Sequence, residues 1–221
     1  VKSVLALALN SPPRCATASG QMTLTPFTKS DELQRWRLNL PVNSKLAFVP
    51  TMGALHRGHE RLMQEARSIA DTVIASIFVN PKQFDRSDDL AKYPRTLDAD
   101  IDICNQQKID AIFAPSVDEV FPATYRQVIS AGPTGHLFEG AHRFGHFDGV
   151  LTVVDRLFAL VSPDLAVFGK KDFQQLELIR QMSADRHPQI RIVSVPTVRD
   201  PDGLALSSRN RQLTDSNRLI A

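Results

Sequence analysis

The sequence predicts an α/β protein built on a doubly wound parallel sheet, and three observations carry that expectation. From residue 46 onward, apolar runs of strand length alternate with segments whose apolar residues recur at helical spacing. The loops that leave those strands hold the glycines, histidines, lysines and hydroxyls, and ligands of open α/β sheets sit at the carboxyl ends of the strands. The length of 221 residues suits one full domain with a small appendage.

Each element can be justified in order. Leu46 to Val49 reads as the first strand; Leu62, Met63, Ala66, Ile69 and Ala70 share one face of a helix; Val73 to Val79 is β-branched enough for a buried strand. A second helix carries Leu97, Ile101 and Cys104 on one side, and Ala111 to Ala114 forms a strand that Pro115 stops. Residues 115–147, rich in Pro, Gly and His, read as irregular structure of a length that is often functional. Alternation resumes with an amphipathic helix through Val154, Leu157, Phe158 and Val161, a strand at Leu165 to Phe168, a helix from Phe173 to about Arg186 and a strand at Ile190 to Val195. Thr214 and Asp215 look like the cap of a last helix.

Residues 1–21 are expected to be a disordered extension, with Met22 a candidate start of the native chain. Their apolar run from Val4 to Leu9 is too short for a secretory signal and is interrupted by Asn10, Pro12 and Pro13. The main domain is assigned to residues 22–205, and residues 206–221 to a phosphate loop and the start of a further domain.

Composition excludes several classes. Hydrophobic residues make up 43% and charged residues 23%, an ordinary mixture for a protein that buries a core. A formal charge of +2 without any Lys/Arg block gives no footprint for nucleic acid, and no segment reads as a membrane span. Cys15 and Cys104 lie far apart and outside any metal-ligand spacing, which fits reduced cytoplasm.

Three loops are suited to phosphate. The first, Met52-Gly53-Ala54-Leu55-His56-Arg57-Gly58-His59, leaves a strand and opens a helix. Free N–H groups and the positive end of the helix dipole favour an anion there, and two imidazoles add donors that strengthen on protonation. The bland reading, in which both histidines merely satisfy backbone groups in a turn, would prevail for an isolated pair. The second loop, Gly169-Lys170-Lys171-Asp172, repeats the strand-to-helix context with mobile ammonium groups. The third, Leu206-Ser207-Ser208-Arg209, offers two hydroxyls and a guanidinium, although alone it is common surface sequence. Gln83 and Gln175 are neutral amides able to donate and accept, as a substrate with hydroxyls and a carboxylate requires.

His-x-Gly-His in such a loop is the signature of the nucleotidyltransferase superfamily, with its Rossmann-like fold. The ordered set PTMGALHRGH at 50–59, SIFVNPKQF at 76–84, YPRTLDAD at 93–100, EGAHRFGHFDGV at 139–150, FGKKDFQQL at 168–176 and DGLALSSRN at 202–210 resembles the pantothenate synthetase family from about residue 24 onward. That resemblance implies ligation of pantoate to β-alanine through a pantoyl-adenylate, with ATP as substrate accompanied by Mg2+, and a homodimer. It further implies that Met52 to His59, Gly169 to Asp172, Val198 and Leu206 to Arg209 bind ATP. His59, His56, Lys171 and Arg209 would act on the phosphates, His59 as proton donor; Gln83 and Gln175 would hold pantoate, His146 would shape that pocket, and Asp100 would approach the metal.

Lys82 and Lys170 stand where the family more often has an apolar residue and a glutamate, and Phe144 replaces a usual proline, so local loop shape and charge should differ there. The family pattern continues into a C-terminal domain that covers the site, and most of that domain is expected to be missing here. The rival readings are a nucleotidyltransferase acting on a phosphorylated acceptor, against which the two glutamines argue, and a nucleotide-binding protein without catalysis.

Overall fold

A computed structural model describes residues 13–16 and 22–221. Its centre is a five-stranded sheet in the order β5-β4-β3-β6-β7, formed by β3 (Leu46–Thr51), β4 (Thr72–Ile77), β5 (Ala111–Phe113), β6 (Leu165–Gly169) and β7 (Arg191–Val195). All four pairings are parallel. The chain winds outward through β4 and β5 on one side of β3 and through β6 and β7 on the other, so the order reverses between β3 and β6. That reversal is where an open α/β sheet leaves a crevice.

Alternation along the strands sorts the core into two layers. Leu46, Phe48, Ile74, Phe113, Ala166 and Phe168 face one cluster, and Ala47, Val49, Val73, Ala75, Ile112 and Val167 face the other. The first is covered by α1 (Ser30–Leu38), α7 (His146–Val161) and α8 (Phe173–Arg186), the second by α2 (Arg57–Ile69) and α4 (Leu97–Gln106). Asp155 of α7, almost fully buried, accepts hydrogen bonds from Arg186 at 2.6 Å and His187 at 2.8 Å, which fastens α7 to the end of α8.

The strands match the sequence expectation to within one or two residues, apart from the end of β4, where Phe78 and Val79 leave the sheet before Pro81. Three further differences are informative. Helix α1 was not legible, because only Leu33 and Trp36 are buried among charged neighbours. In α4, Leu97 is 43% exposed while Asp100 is 1% exposed, so the helix turns a carboxylate inward where an apolar residue was expected. The segment 115–147 holds α5 (Val117–Val120), a 3-10 turn at Pro133–His136 and α6 (Glu139–His142) in otherwise irregular chain. A short α3 (Ser87–Lys92) precedes α4, and Thr214 caps α9 (Asp215–Ile220) by accepting the Asn217 N–H at 3.2 Å. In the stretch expected to be an extension, β1 (Arg14–Ala16) pairs antiparallel with β2 (Met22–Leu24); residues 1–12 and 17–21 lie outside the described residues. Cys15 falls in β1, and Cys104 is buried, with its thiol pushed up to about 12 by that burial.

Helix α7 also sets the position of the turn after β4. Gly149 lies directly beneath that turn, and a Cβ there would stand 2.0 Å from the Lys82 carbonyl oxygen and 2.9 Å from the Gln83 nitrogen. Only glycine lets helix and turn approach this closely. Asn80 uses the space by donating to the Gly149 carbonyl at 3.1 Å. Gly149→Ala is therefore expected to destabilise the fold by about 1–3 kcal/mol through overpacking. Urea unfolding reads this directly; an unchanged midpoint would mean the turn moves aside at no cost.

Candidate active site

The first loop is shaped by a buried carboxylate. Gly53 (φ 78°) and Ala54 (φ 49°) are both left-handed, a conformation that side chains resist. Their strain is offset by Asp100, whose carboxylate accepts from the Ala54 N–H at 3.0 Å, the Leu55 N–H at 2.8 Å and the Thr96 hydroxyl at 3.3 Å. Successive N–H groups turned to one point form an anion nest, and here the anion is the protein's own. Asp100, expected to approach a metal, is here buried with both oxygens engaged by the loop. Among the described residues, no group of three or more His, Cys, Asp or Glu side chains is placed to hold a metal ion.

Loop geometry delivers the two histidines to the start of α2. His56 is the N-cap, its Nδ1 accepting the Gly58 N–H at 3.1 Å, and His59 Nδ1 accepts the His56 N–H at 3.3 Å. The pair is thus a reciprocal capping box made of imidazoles, with ring centroids 4.1 Å apart. An Nδ1 that accepts carries no proton, so each neutral ring bears its hydrogen on Nε2. Burial, then His56 and Lys171 nearby, push His59 down to about 3; burial foremost also lowers His56. With Nδ1 accepting, each imidazole offers an Nε2–H donor without taking up a proton. The bland reading holds, since both rings satisfy backbone groups, and both rings also line a cleft.

That cleft lies between the carboxyl ends of β3 and β6 and gathers Met52, His56, Gly58, His59, Gly169, Lys171, Asp172, Gln175, Val198 and Leu206 through Arg209. Lys171 is paired with Asp172 at 2.9 Å. Ser208 ties the third loop to the first by donating to the Ala54 carbonyl at 3.0 Å, and Ser207 accepts the Arg209 N–H at 3.3 Å. Arg209 is held side-on by Asp89 of α3, Nε to Oδ1 at 3.3 Å and Nη2 to Oδ2 at 2.7 Å, beside the rings of Tyr93 and Phe84.

Other expected site residues fall outside the cleft lining. Gly53, Ala54 and Leu55 are buried beneath it as the loop's frame. Arg57 turns outward to pair with Asp200, and Lys170 is exposed on the 3-10 turn Lys170–Asp172. Lys82, whose charge was expected to alter the loop, rests its ammonium 4.1 Å from the centroid of Phe121.

A second compartment opens from the first through Pro50, Met52, His59, Tyr93, Phe168, Asp172 and Gln175. It is lined by both predicted glutamines, Gln83 and Gln175, by Asn80, and by the apolar Val150, Val153, Val154 and Leu157 of α7. Sequence reasoning missed Tyr93, Asn80 and the valines. Tyr93 and Asn80 lie inside the motifs quoted above, but the valines carry no signal that separates a cavity wall from an ordinary helix core.

The family model described as pantoate-beta-alanine ligase matches residues 25–221. The chain is 50% identical over 205 residues to a pantothenate synthetase of Acidothermus cellulolyticus, covering 93% of this chain and 68% of that protein. It is 52% identical over 204 residues to that of Streptomyces avermitilis, covering 90% and 60% respectively. Among solved structures, the pantoate-beta-alanine ligase of Francisella tularensis, complexed with beta-gamma ATP and beta-alanine, superposes with a TM-score of 0.84 at 40% identity, over 88% of this chain and 75% of that one. The chain thus spans about two thirds or less of the curated relatives' length, and the match runs through the motifs that build both compartments. It belongs to the pantoate–β-alanine ligase family.

Proposed function

We propose that this chain condenses pantoate with β-alanine, using ATP and releasing AMP and pyrophosphate, through a pantoyl-adenylate. The observation that carries the reading is the meeting of two compartments of different chemistry at His59, Met52 and Gln175. The first offers Nε2–H donors, a helix N-terminus, an ammonium, hydroxyls and a guanidinium, which suit a polyphosphate. The second pairs two amides with a valine-rich wall, which suits a small acid bearing hydroxyls and geminal methyl groups.

In the first step a pantoate carboxylate oxygen bonds to the α-phosphorus of ATP while the bond from that phosphorus to the bridging oxygen breaks, and pyrophosphate leaves with the electron pair. With a carboxyl pKa near 4 the nucleophile is already ionised at neutral pH, so no general base is required. What the protein supplies is alignment and neutralisation of developing charge. Neutral His59 can give an Nε2–H hydrogen bond without first taking up a proton, as suits a group at a helix N-terminus. In the second step the free amine of β-alanine attacks the acyl carbon, the bond from that carbon to the phosphate oxygen breaks with its electron pair leaving on AMP, and the proton lost by the amine passes to solvent. Mg2+ is proposed to arrive on the ATP phosphates, where it would neutralise part of their charge. The same reading carries a homodimer and a cytoplasmic location, testable by light scattering and by fractionation of the native host. Among the described residues no helix is long and apolar enough to cross a membrane.

His59→Ala and Lys171→Ala are each expected to lower pantoate-dependent pyrophosphate release by about a hundredfold or more, the usual effect of deleting one charge-stabilising donor. Arg61→Ala, which removes only a surface pair with Glu65, should stay within about twofold. Circular dichroism would confirm that the variants fold. Near-normal release from the His59 and Lys171 variants would remove those residues from the reaction.

His59 also links stability to pH. Its folded pKa of about 3 lies below the unfolded value of 6.5, so the unfolded chain takes up a proton first as pH falls. The contribution is complete above pH 6.5 and is lost progressively from there toward pH 3. Between pH 7.5 and 5, His59→Gln should reduce the loss of unfolding free energy by roughly 1–2 kcal/mol. Urea melts of both proteins at the two pH values measure it; parallel slopes would mean that His59 titrates normally.

A further inference from the structure

Gln83 of the second compartment is positioned by partners that, Met52 apart, lie outside the phosphate loops. Asn80, 1% exposed, accepts the Lys82 N–H on its Oδ1 at 3.1 Å, which fixes its amide. Its Nδ2 then donates to the Gly149 carbonyl at 3.1 Å and to Gln83 Oε1 at 3.2 Å. The Gln83 oxygen is therefore occupied, and its Nε2–H donors are the group left to offer, lying against the Met52 sulfur. The main chain of Gln83 is held separately. Its carbonyl oxygen is 2.7 Å from Nδ1 of His146, the buried first residue of α7. On the far side of the ring, Nη1 of Arg143 lies 3.1 Å from Nε2. A guanidinium has only donors, so Nε2 must accept and Nδ1 must carry the hydrogen given to Gln83. Arg143 is in turn braced by Glu139 at 2.7 Å and Asp85 at 3.6 Å.

We infer that His146 is the positioning residue for the acid substrate, acting through Gln83: its Nδ1–H, in a tautomer fixed by Arg143, holds the Gln83 carbonyl so that the Gln83 amide presents donors to the carboxylate or hydroxyls. The inference rests on the reading of the second compartment as the pantoate pocket. Burial, and Arg143 beside it, also hold the imidazole neutral, so the ring keeps one accepting and one donating nitrogen. Deleting the ring leaves the Gln83 carbonyl and an Arg143 N–H without their partner and frees the turn to shift. Because the ring faces the second compartment's turn, the effect falls on the acid and spares the nucleotide.

Calorimetric titration of the full chain with pantoate, and separately with ATP, tests this with two variants. His146→Leu should weaken pantoate about tenfold and leave ATP within about twofold. His146→Asn, whose amide nitrogen sits where Nδ1 does, should restore pantoate to within about threefold. Pantoate binding unchanged in His146→Leu would overturn the inference alone, as would equal losses of pantoate and ATP in both variants, the mark of a merely structural residue. Wild-type protein that binds ATP but no pantoate would overturn the substrate reading and the inference together. A test that needs no variant is nitrogen-15 NMR of the imidazole: at neutral pH His146 should be protonated on Nδ1 and bare on Nε2, and the opposite tautomer would refute the assignment.

Discussion

The hydrogen bonds from Ala54 and Leu55 N–H to the Asp100 carboxylate are the constraint on which the site depends. Two consecutive left-handed residues, one of them alanine, form a conformation that the backbone would abandon without a partner. A buried carboxylate that accepts three hydrogen bonds supplies one, and losing it would leave those N–H groups without water or protein. The carboxylate also fixes distances. It ties the start of α4 to the end of β3, and the resulting loop sets where α2 begins and therefore where both histidines stand. Ser208 then reads that loop by donating to the Ala54 carbonyl, so the third phosphate loop inherits its position from the first.

Capping by imidazoles has a consequence for the helix N-terminus. The Gly58 N–H of α2 and the His56 N–H preceding it, which a bound anion would otherwise use, are already taken by Nδ1 atoms. What the cleft offers is the field of the helix together with two Nε2–H groups whose direction the caps determine. Preorganised donors of this kind need no reorganisation as charge develops, and keeping them neutral avoids a pair of like charges 4.1 Å apart.

Much of this was legible in the sequence, and what was not has identifiable reasons. Strands were readable because β-branched runs between breakers have few other uses, and the first two cleft-lining loops because each passes directly from a strand to a helix. Roles inside the loops were less accessible. Arg57 and Gly58 are neighbours, yet one faces solvent and the other the cleft, and a one-residue rotation in a turn decides which. Lys170 and Lys171 differ in the same way. Asp100 was read for a cation because it lies near phosphate-suited loops, and its bonds to the backbone N–H groups of a left-handed loop carry no sequence signal. Val150, Val153 and Val154 read as core, and they are; that one side of this core borders a cavity depends on how far Gly149 lets the 80–84 turn descend.

The cations of the cleft are already partnered, Lys171 with Asp172 and Arg209 with Asp89. Such half-exposed pairs stabilise the fold little, by about 0–1 kcal/mol, so their effect is mainly on what can bind. A polyanion entering the cleft meets cations held in place by carboxylates and must share them or displace those carboxylates. Sharing is geometrically open at Arg209, because Asp89 takes the Nε and Nη2 edge and leaves Nη1 without a hydrogen bond among the described residues. A ligand with a single negative charge gains little against two resident carboxylates, whereas one carrying several charges along its length can engage the ammonium, the guanidinium and the Nε2–H groups together. On the proposed reading, pre-pairing favours a polyphosphate over a simple carboxylate in this compartment, and leaves the carboxylate to the neighbouring one, where the donors offered by Gln83 and Gln175 are neutral.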